Sequence, residues 1–82
     1  MSFMKVQIYT TQFCPYCVQA KAFFKQKNIV FDEIDLTGKW DELEALKTRT
    51  QFRTVPQIFI DDVFIGGYTD LVDKYKKGEV KL

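Results

Sequence analysis

The sequence of 82 residues contains no histidine, a single serine (Ser2), two prolines and four glycines. Without histidine, neither a Ser-His-Asp nor a Cys-His mechanism can be assembled within the chain, and the commonest zinc ligand is missing. Chemistry is left to sulfur, carboxylate, amine and backbone. A charge excess is also lacking: 12 basic residues against 11 acidic ones give a net charge of +1. That supplies no field to draw the chain onto a phosphate backbone, so nucleic acid is not an expected partner. The longest apolar run falls far short of the ~18 residues of a membrane span, and the start has no apolar secretion-signal core. The expectation is a cytoplasmic protein without membrane attachment. Repeats, low-complexity stretches and linkers are absent as well, which points to one domain over residues 1–82. A chain this short buries roughly 60% of its unfolded surface. Eight Phe, four Tyr and Trp40 are expected to help fill its one core.

What is present is a succession of short periodic segments. Residues Met4 to Thr10 alternate Met4, Val6 and Ile8 with Lys5 and Gln7, the period of two of a strand. Pro15 suits the first position of a helix, where its missing N–H has no intrahelical partner, and this makes Cys14 the N-cap. From Pro15 to Lys27, the residues Cys17, Ala20 and Phe24 form one stripe with Phe23 beside it, and Asn28 is placed to end the helix. Ile29 to Leu36 opens with Ile-Val-Phe and reads as a strand. Trp40 to Arg49 sets Trp40, Leu43 and Leu46 at helical spacing, with acids early and Lys47 and Arg49 late, matching the helix dipole. Gln57 to Ile60 and Val63 to Ile65 flank Asp61-Asp62, a hairpin signal. Gly66-Gly67 breaks that strand, and Thr69 is the expected cap of a last helix with Leu71, Val72 and Tyr75 on one face. The order β-α-β-α-β-β-α makes the first two strands parallel and the last two antiparallel, an α/β fold on a mixed sheet.

Cys14-Pro15-Tyr16-Cys17 carries the chemistry, because two cysteines at this spacing on a helix start bring their sulfurs together. Three readings are open. A zinc site needs about four ligands, and two thiols without imidazole do not make one within the chain. A structural disulfide closing so short a loop contributes about 1.9 kcal/mol and staples nothing distant. Reversible redox is the third reading, and a C-x-x-C beside a βαβ pattern favours it.

Only the thiolate attacks a disulfide, and a free cysteine titrates near 8.5, so something must stabilise the anion. The helix dipole contributes about 0.3 to 1 kcal/mol, less than one pH unit's worth. Hydrogen bonds to a charged group contribute roughly 1.5 to 3 kcal/mol, and the N–H groups of Tyr16 and Cys17 are expected to donate to the Cys14 sulfur. Cys14 is therefore the expected nucleophile. Cys17, inside the first turn and more covered, is the expected resolving thiol. From spacing alone, Lys21 is a surface lysine able to lean back toward the helix start.

Four stretches now line up: Cys14-Pro15-Tyr16-Cys17, Lys21, Arg53-Thr54-Val55-Pro56 before Gln57-Ile58-Phe59-Ile60, and Ile65-Gly66-Gly67-Tyr68-Thr69-Asp70 before the last helix. In this order and at these spacings the sequence resembles the glutaredoxin family, of the dithiol C-P-Y-C type, and its short termini resemble the compact bacterial or phage-type members. The resemblance implies a thioredoxin fold, with a four-stranded mixed sheet flanked by three helices. It implies glutathione as co-substrate, with no metal. Pro56 is then cis and faces the dithiol, and Val55 pairs main chain to main chain with the cysteinyl part of glutathione. Thr69 and Asp70 hold the γ-glutamyl end, Lys21 and Arg53 lie near the glycyl carboxylate, and Tyr16, Thr54 and Pro56 complete the groove. Two departures stand out. Many glutaredoxins carry a lysine three residues before the first cysteine, where this chain has Thr11, and a Gln or Arg where it has Leu43. Gln51 or Arg49 are the candidates to substitute for the latter.

The implied activity is reduction of protein disulfides and of glutathione mixed disulfides by a monomer, with disulfide-bearing or glutathionylated proteins as partners and ribonucleotide reductase among the candidates. One rival is a thioredoxin-like electron donor to that reductase, recharged by a flavoprotein. Another is a module in which two chains share a glutathione-ligated [2Fe-2S] cluster through Cys14.

Overall fold

The computed structural model describes residues 4–80. Its elements are β1 (Val6–Thr10), α1 (Pro15–Gln26), β2 (Asp32–Asp35), α2 (Trp40–Thr50), β3 (Gln57–Ile60), β4 (Val63–Gly66) and α3 (Tyr68–Lys76). The strands form one sheet in the order β2-β1-β3-β4. β1 runs parallel to β2 and antiparallel to β3, and β3 runs antiparallel to β4. This is the mixed sheet with three flanking helices that the resemblance implies.

α1 begins as expected, with Cys14 as N-cap in extended conformation and Pro15 in the first turn. It ends in a Schellman motif: Asn28 adopts φ 59°, its N–H donates to Lys25 O, and the Ile29 N–H donates back to Phe24 O at 2.9 Å. This corrects the start of the second strand. Ile29 closes the helix end and Phe31 packs on the core, while Val30 is exposed, so β2 pairs with β1 only from Asp32 onward. Asp61 and Asp62 both have positive φ, 51° and 65°, the twist that a two-residue hairpin requires.

The last helix departs from expectation at its cap. β4 runs to Gly66 and α3 starts at Tyr68, so Gly67 is the N-cap and Thr69 lies inside the first turn. The Gly67 N–H donates to Asp70 Oδ2 at 3.0 Å, half of a capping box, since glycine has no side chain to return the second bond.

The sheet is packed on both faces. Val6 and Ile8 of β1 and Ile58 and Ile60 of β3 meet Ala20 and Phe24 of α1, Leu71 of α3 and Val80 on one side. On the other, Leu36 with Leu43 and Leu46 of α2 covers Tyr9, Ile34 and Phe59. Trp40 does not join this core: at the first position of α2 it faces solvent, as Phe13 does in the loop after β1. Among the described residues, no helix is long and apolar enough to cross a membrane.

Candidate active site

Antiparallel pairing sets Tyr9, near the end of β1, opposite Gln57, the start of β3, and Gly66, the end of β4, opposite Ile58. The β1-α1 loop, the residues before β3 and the β4-α3 junction therefore gather at one end of the sheet. The cysteine pair sits there.

Cys14 and Cys17 are joined in a disulfide with their Cα atoms 5.2 Å apart. The Cys17 N–H donates to Cys14 Sγ at 3.1 Å, and the Val18 N–H to Cys14 O at 3.2 Å. Of the two amides expected at the sulfur, the one used is that of Cys17. Cys14 is half-buried and Cys17 only 2% exposed, the asymmetry expected of an attacking and a resolving thiol. Phe13, immediately before, has φ 57° and is 96% exposed.

Across from the sulfurs lies Val55, with its carbonyl oxygen 3.5 Å from Cys14 Sγ. The Val55-Pro56 bond is cis, as the resemblance implies. β3 begins only at Gln57, so the Val55 amide stays outside the sheet ladder. Gln57, which sequence reasoning passed over, holds this loop in place. Its fully buried side chain donates to Phe52 O at 2.7 Å and to Thr54 O at 3.2 Å, and accepts from the Thr50 hydroxyl at 2.8 Å. A polar residue inside a four-residue apolar strand was the available signal.

The β4-α3 junction borders Pro56 closely enough that a Cβ on Gly67 would lie 3.4 Å from Pro56 O. Thr69 and Asp70, both exposed, thus stand at the same end of the sheet as the dithiol. The Tyr16 ring, expected at the groove wall, stacks on Tyr68 with centroids 6.4 Å apart.

The cations divide. Arg53 and Thr54 are exposed, and Arg53 shares an open depression with Glu44, Lys47, Thr48 and Gln51. Arg49 points elsewhere, over the Phe59 ring at 5.5 Å, and Leu43 is buried, so of the two candidate substitutes Gln51 is the one near Arg53. Lys21 lies on the other flank, its ammonium 2.9 Å from Glu33 Oε2, which also accepts from the Thr10 hydroxyl at 2.8 Å. The Lys21 bond first, and the Thr10 bond second, hold the Glu33 carboxyl below its ordinary range. Among the described residues, no group of three or more Cys, Asp or Glu side chains is arranged around a metal position.

Comparison with known proteins agrees with this geometry. A family model described as Glutaredoxin matches residues 6–65. Glutaredoxin 3 of Escherichia coli K12 is 46% identical over 66 residues, covering 80% of this chain and 80% of the relative. Glutaredoxin 1 from Francisella tularensis, crystallised with cacodylate, superposes with a TM-score of 0.78 at 41% identity, over 95% of this chain and 99% of that one. A buckwheat glutaredoxin-glutathione complex superposes with a TM-score of 0.80 at 28% identity, over 93% of this chain and 72% of that one.

Proposed function

Because the chain belongs to the glutaredoxin family and is a thiol-disulfide oxidoreductase of that type, we propose that it uses glutathione to reduce protein disulfides and glutathione mixed disulfides through Cys14 and Cys17. In this reading residues 1–82 act as one domain, a monomer in the cytoplasm, where a reducing compartment keeps the dithiol in turnover. The observation that carries the reading is the placement of Cys14 Sγ between the Cys17 N–H at 3.1 Å and the main chain of Val55, beside a cis proline.

The Cys14 thiolate attacks one sulfur of a substrate disulfide, forming a mixed disulfide and expelling the other sulfur as a thiolate that takes up a proton. Cys17 then loses its proton and attacks the Cys14 sulfur, releasing the second substrate thiolate and leaving the Cys14–Cys17 bridge. One glutathione thiolate opens that bridge at Cys14. A second attacks the bound glutathione sulfur, yielding oxidised glutathione and the Cys14 thiolate. The helix-start amide of Cys17 stabilises the sulfur anion at each stage at which Cys14 leaves or attacks.

Glutathione lies along Val55, whose unladdered amide and carbonyl pair with the cysteinyl unit as an added strand would. Thr69 and the first turn of α3 offer N–H groups to the γ-glutamyl carboxylate. Asp70 takes the ammonium; an ionised carboxylate has acceptor sites to spare beyond the bond from Gly67. Arg53, joined by Thr54, receives the glycyl carboxylate, and Lys21 adds charge from the far flank. Tyr16 and Pro56 wall the groove. The buckwheat relative solved with glutathione supports this choice of ligand.

The test is a coupled assay with a glutathione mixed disulfide, run with glutathione reductase and, in parallel, with thioredoxin reductase. Turnover is expected with the first, falling to background in Cys14→Ser and persisting in Cys17→Ser. Turnover with thioredoxin reductase alone, or activity retained in Cys14→Ser, would overturn the reading.

A further inference from the structure

Lys21 follows Cys17 by four residues on α1, so the two side chains share a helix face. Both line one open depression with Cys14, Phe13 and Val18, and the opposite wall of that depression is β2, through Glu33 and Asp35. Glu33 is not a free surface acid there. One of its oxygens accepts from both the Lys21 ammonium and the Thr10 hydroxyl, and Thr10, the last residue of β1, is 2% exposed. The side chains of Lys21 and Glu33 retain only 27% and 35% of their exposure. An oxygen with two donors, one of them on the buried Thr10, holds the ammonium in one place better than a lone surface pair would.

That place matters because Cys17 is buried and must shed a proton before it can attack Cys14, while burial favours the neutral thiol. A lone ammonium beside it favours the anion. A lone carboxylate opposes it. Two thiols this close also titrate as a pair, so a charge at Cys17 acts on Cys14 too.

We infer that Glu33 is a positioning residue for the dithiol: with Thr10 it holds the Lys21 ammonium on the Cys17 side of α1 and offsets its charge, so the ion pair, rather than Lys21 alone, sets the proton affinity of the two thiols. The inference rests on Cys14 and Cys17 being the redox pair, as proposed above. It also separates the two cations, since Arg53 makes no ion pair among the described residues and stays available for a substrate carboxylate.

The other ionisable groups on this side are Asp35 in the same depression, whose carboxylate accepts from the Thr37 N–H and feels Lys39, while Tyr16, stacked on Tyr68, with Arg53 and Asp70, stands at the same end of the sheet. They are common to every variant compared, so differences between variants isolate the pair.

The experiment takes the full chain in reduced form as wild type, Glu33→Gln, Lys21→Met and the double variant, and measures Cys14 alkylation by iodoacetamide against pH. Glu33→Gln leaves Lys21 unopposed and should lower the midpoint by about half a pH unit, roughly a threefold gain in thiolate at fixed pH below the midpoint. Lys21→Met leaves Glu33 unopposed and should raise it by a similar amount. The double variant should return close to wild type. In a glutathione redox buffer, Glu33→Gln should shift the equilibrium roughly threefold toward reduced protein, about 14 mV. Single variants that move the midpoint in the same direction, or that change thermal stability without moving it, overturn the inference. Should Glu33→Gln not fold, Lys21→Met decides alone, because its midpoint has to rise. A wild type that fails to exchange with glutathione while the midpoints move in opposite directions overturns the proposed function and upholds the charge pairing.

Discussion

Glu33 is held by Lys21 and Thr10 in a form that must stay ionised, and the consequence is measurable in stability as well as in sulfur chemistry. Its folded pKa is depressed, by the Lys21 bond first and the Thr10 bond second. In the unfolded chain it titrates near the usual ~4.3. A depressed folded value contributes stability that is complete above the unfolded pKa and is lost as pH falls through the folded one. Wild type should therefore exceed Glu33→Gln at neutral pH by about 0.2–1 kcal/mol, the range of a partly exposed pair. The gap should close as pH drops below about 4.3. Urea midpoints of the two proteins across that range measure it, and a gap independent of pH would assign the effect to packing. None of this was legible in the sequence, where Glu33 is one acid in the run Asp32-Glu33-Ile34-Asp35. Its partners stand on two other elements, and only the parallel register of β1 with β2 and the docking of α1 bring the three together.

At the scale of elements, the turn from β4 into α3 has the least slack. Gly66 adopts φ +123°, and a Cβ there would lie 2.6 Å from Asp70 Oδ2. Gly66→Ala should therefore strain the backbone by about 1–3 kcal/mol and push the Asp70 carboxylate off the Gly67 N–H, a cap worth about 1 kcal/mol more. Thr69→Ala supplies the contrast. Thr69 is exposed and does not cap, so its loss should change stability by less than about 0.5 kcal/mol while raising the KM for glutathione. Urea denaturation and glutathione kinetics on both variants check this; a Thr69→Ala that unfolds as readily as Gly66→Ala refutes the assignment of the cap. The seven elements were readable beforehand because each announces itself locally: Pro15 at a helix start, Asn28 at its end, paired aspartates in a hairpin. The errors fell where two local signals compete. Ile29-Val30-Phe31 has strand composition, but a helix must be closed first, and Thr69 is a good cap two residues too late.

Across the whole molecule, the two-faced core leaves little reserve. Phe24 is completely buried at the centre of the layer joining α1, α3 and the sheet. Phe24→Ala should cost about 3–5 kcal/mol, against a total stability of about 5–15 kcal/mol for domains in general. Guanidinium denaturation of the oxidised protein measures the loss, and a cost below about 1 kcal/mol would mean that the layer can collapse around the cavity. The cysteine pair and the deeper burial of Cys17 were legible because a helix start fixes them within four residues. The neighbourhood of Val55 was legible only through resemblance, since Val55 reaches Cys14 through the sheet. The contact between Cys14 and Val55 joins positions 41 apart in sequence. The environment that the reactive sulfur reads is therefore a property of the folded chain and disappears on unfolding. Oxidation and unfolding then form the two sides of one thermodynamic cycle. Whatever amount folding adds to or subtracts from the strength of the Cys14–Cys17 bond must reappear as the difference in unfolding free energy between oxidised and reduced protein. Two denaturation curves would thus measure how far the fold has biased its own disulfide, without any electron-transfer partner in the tube.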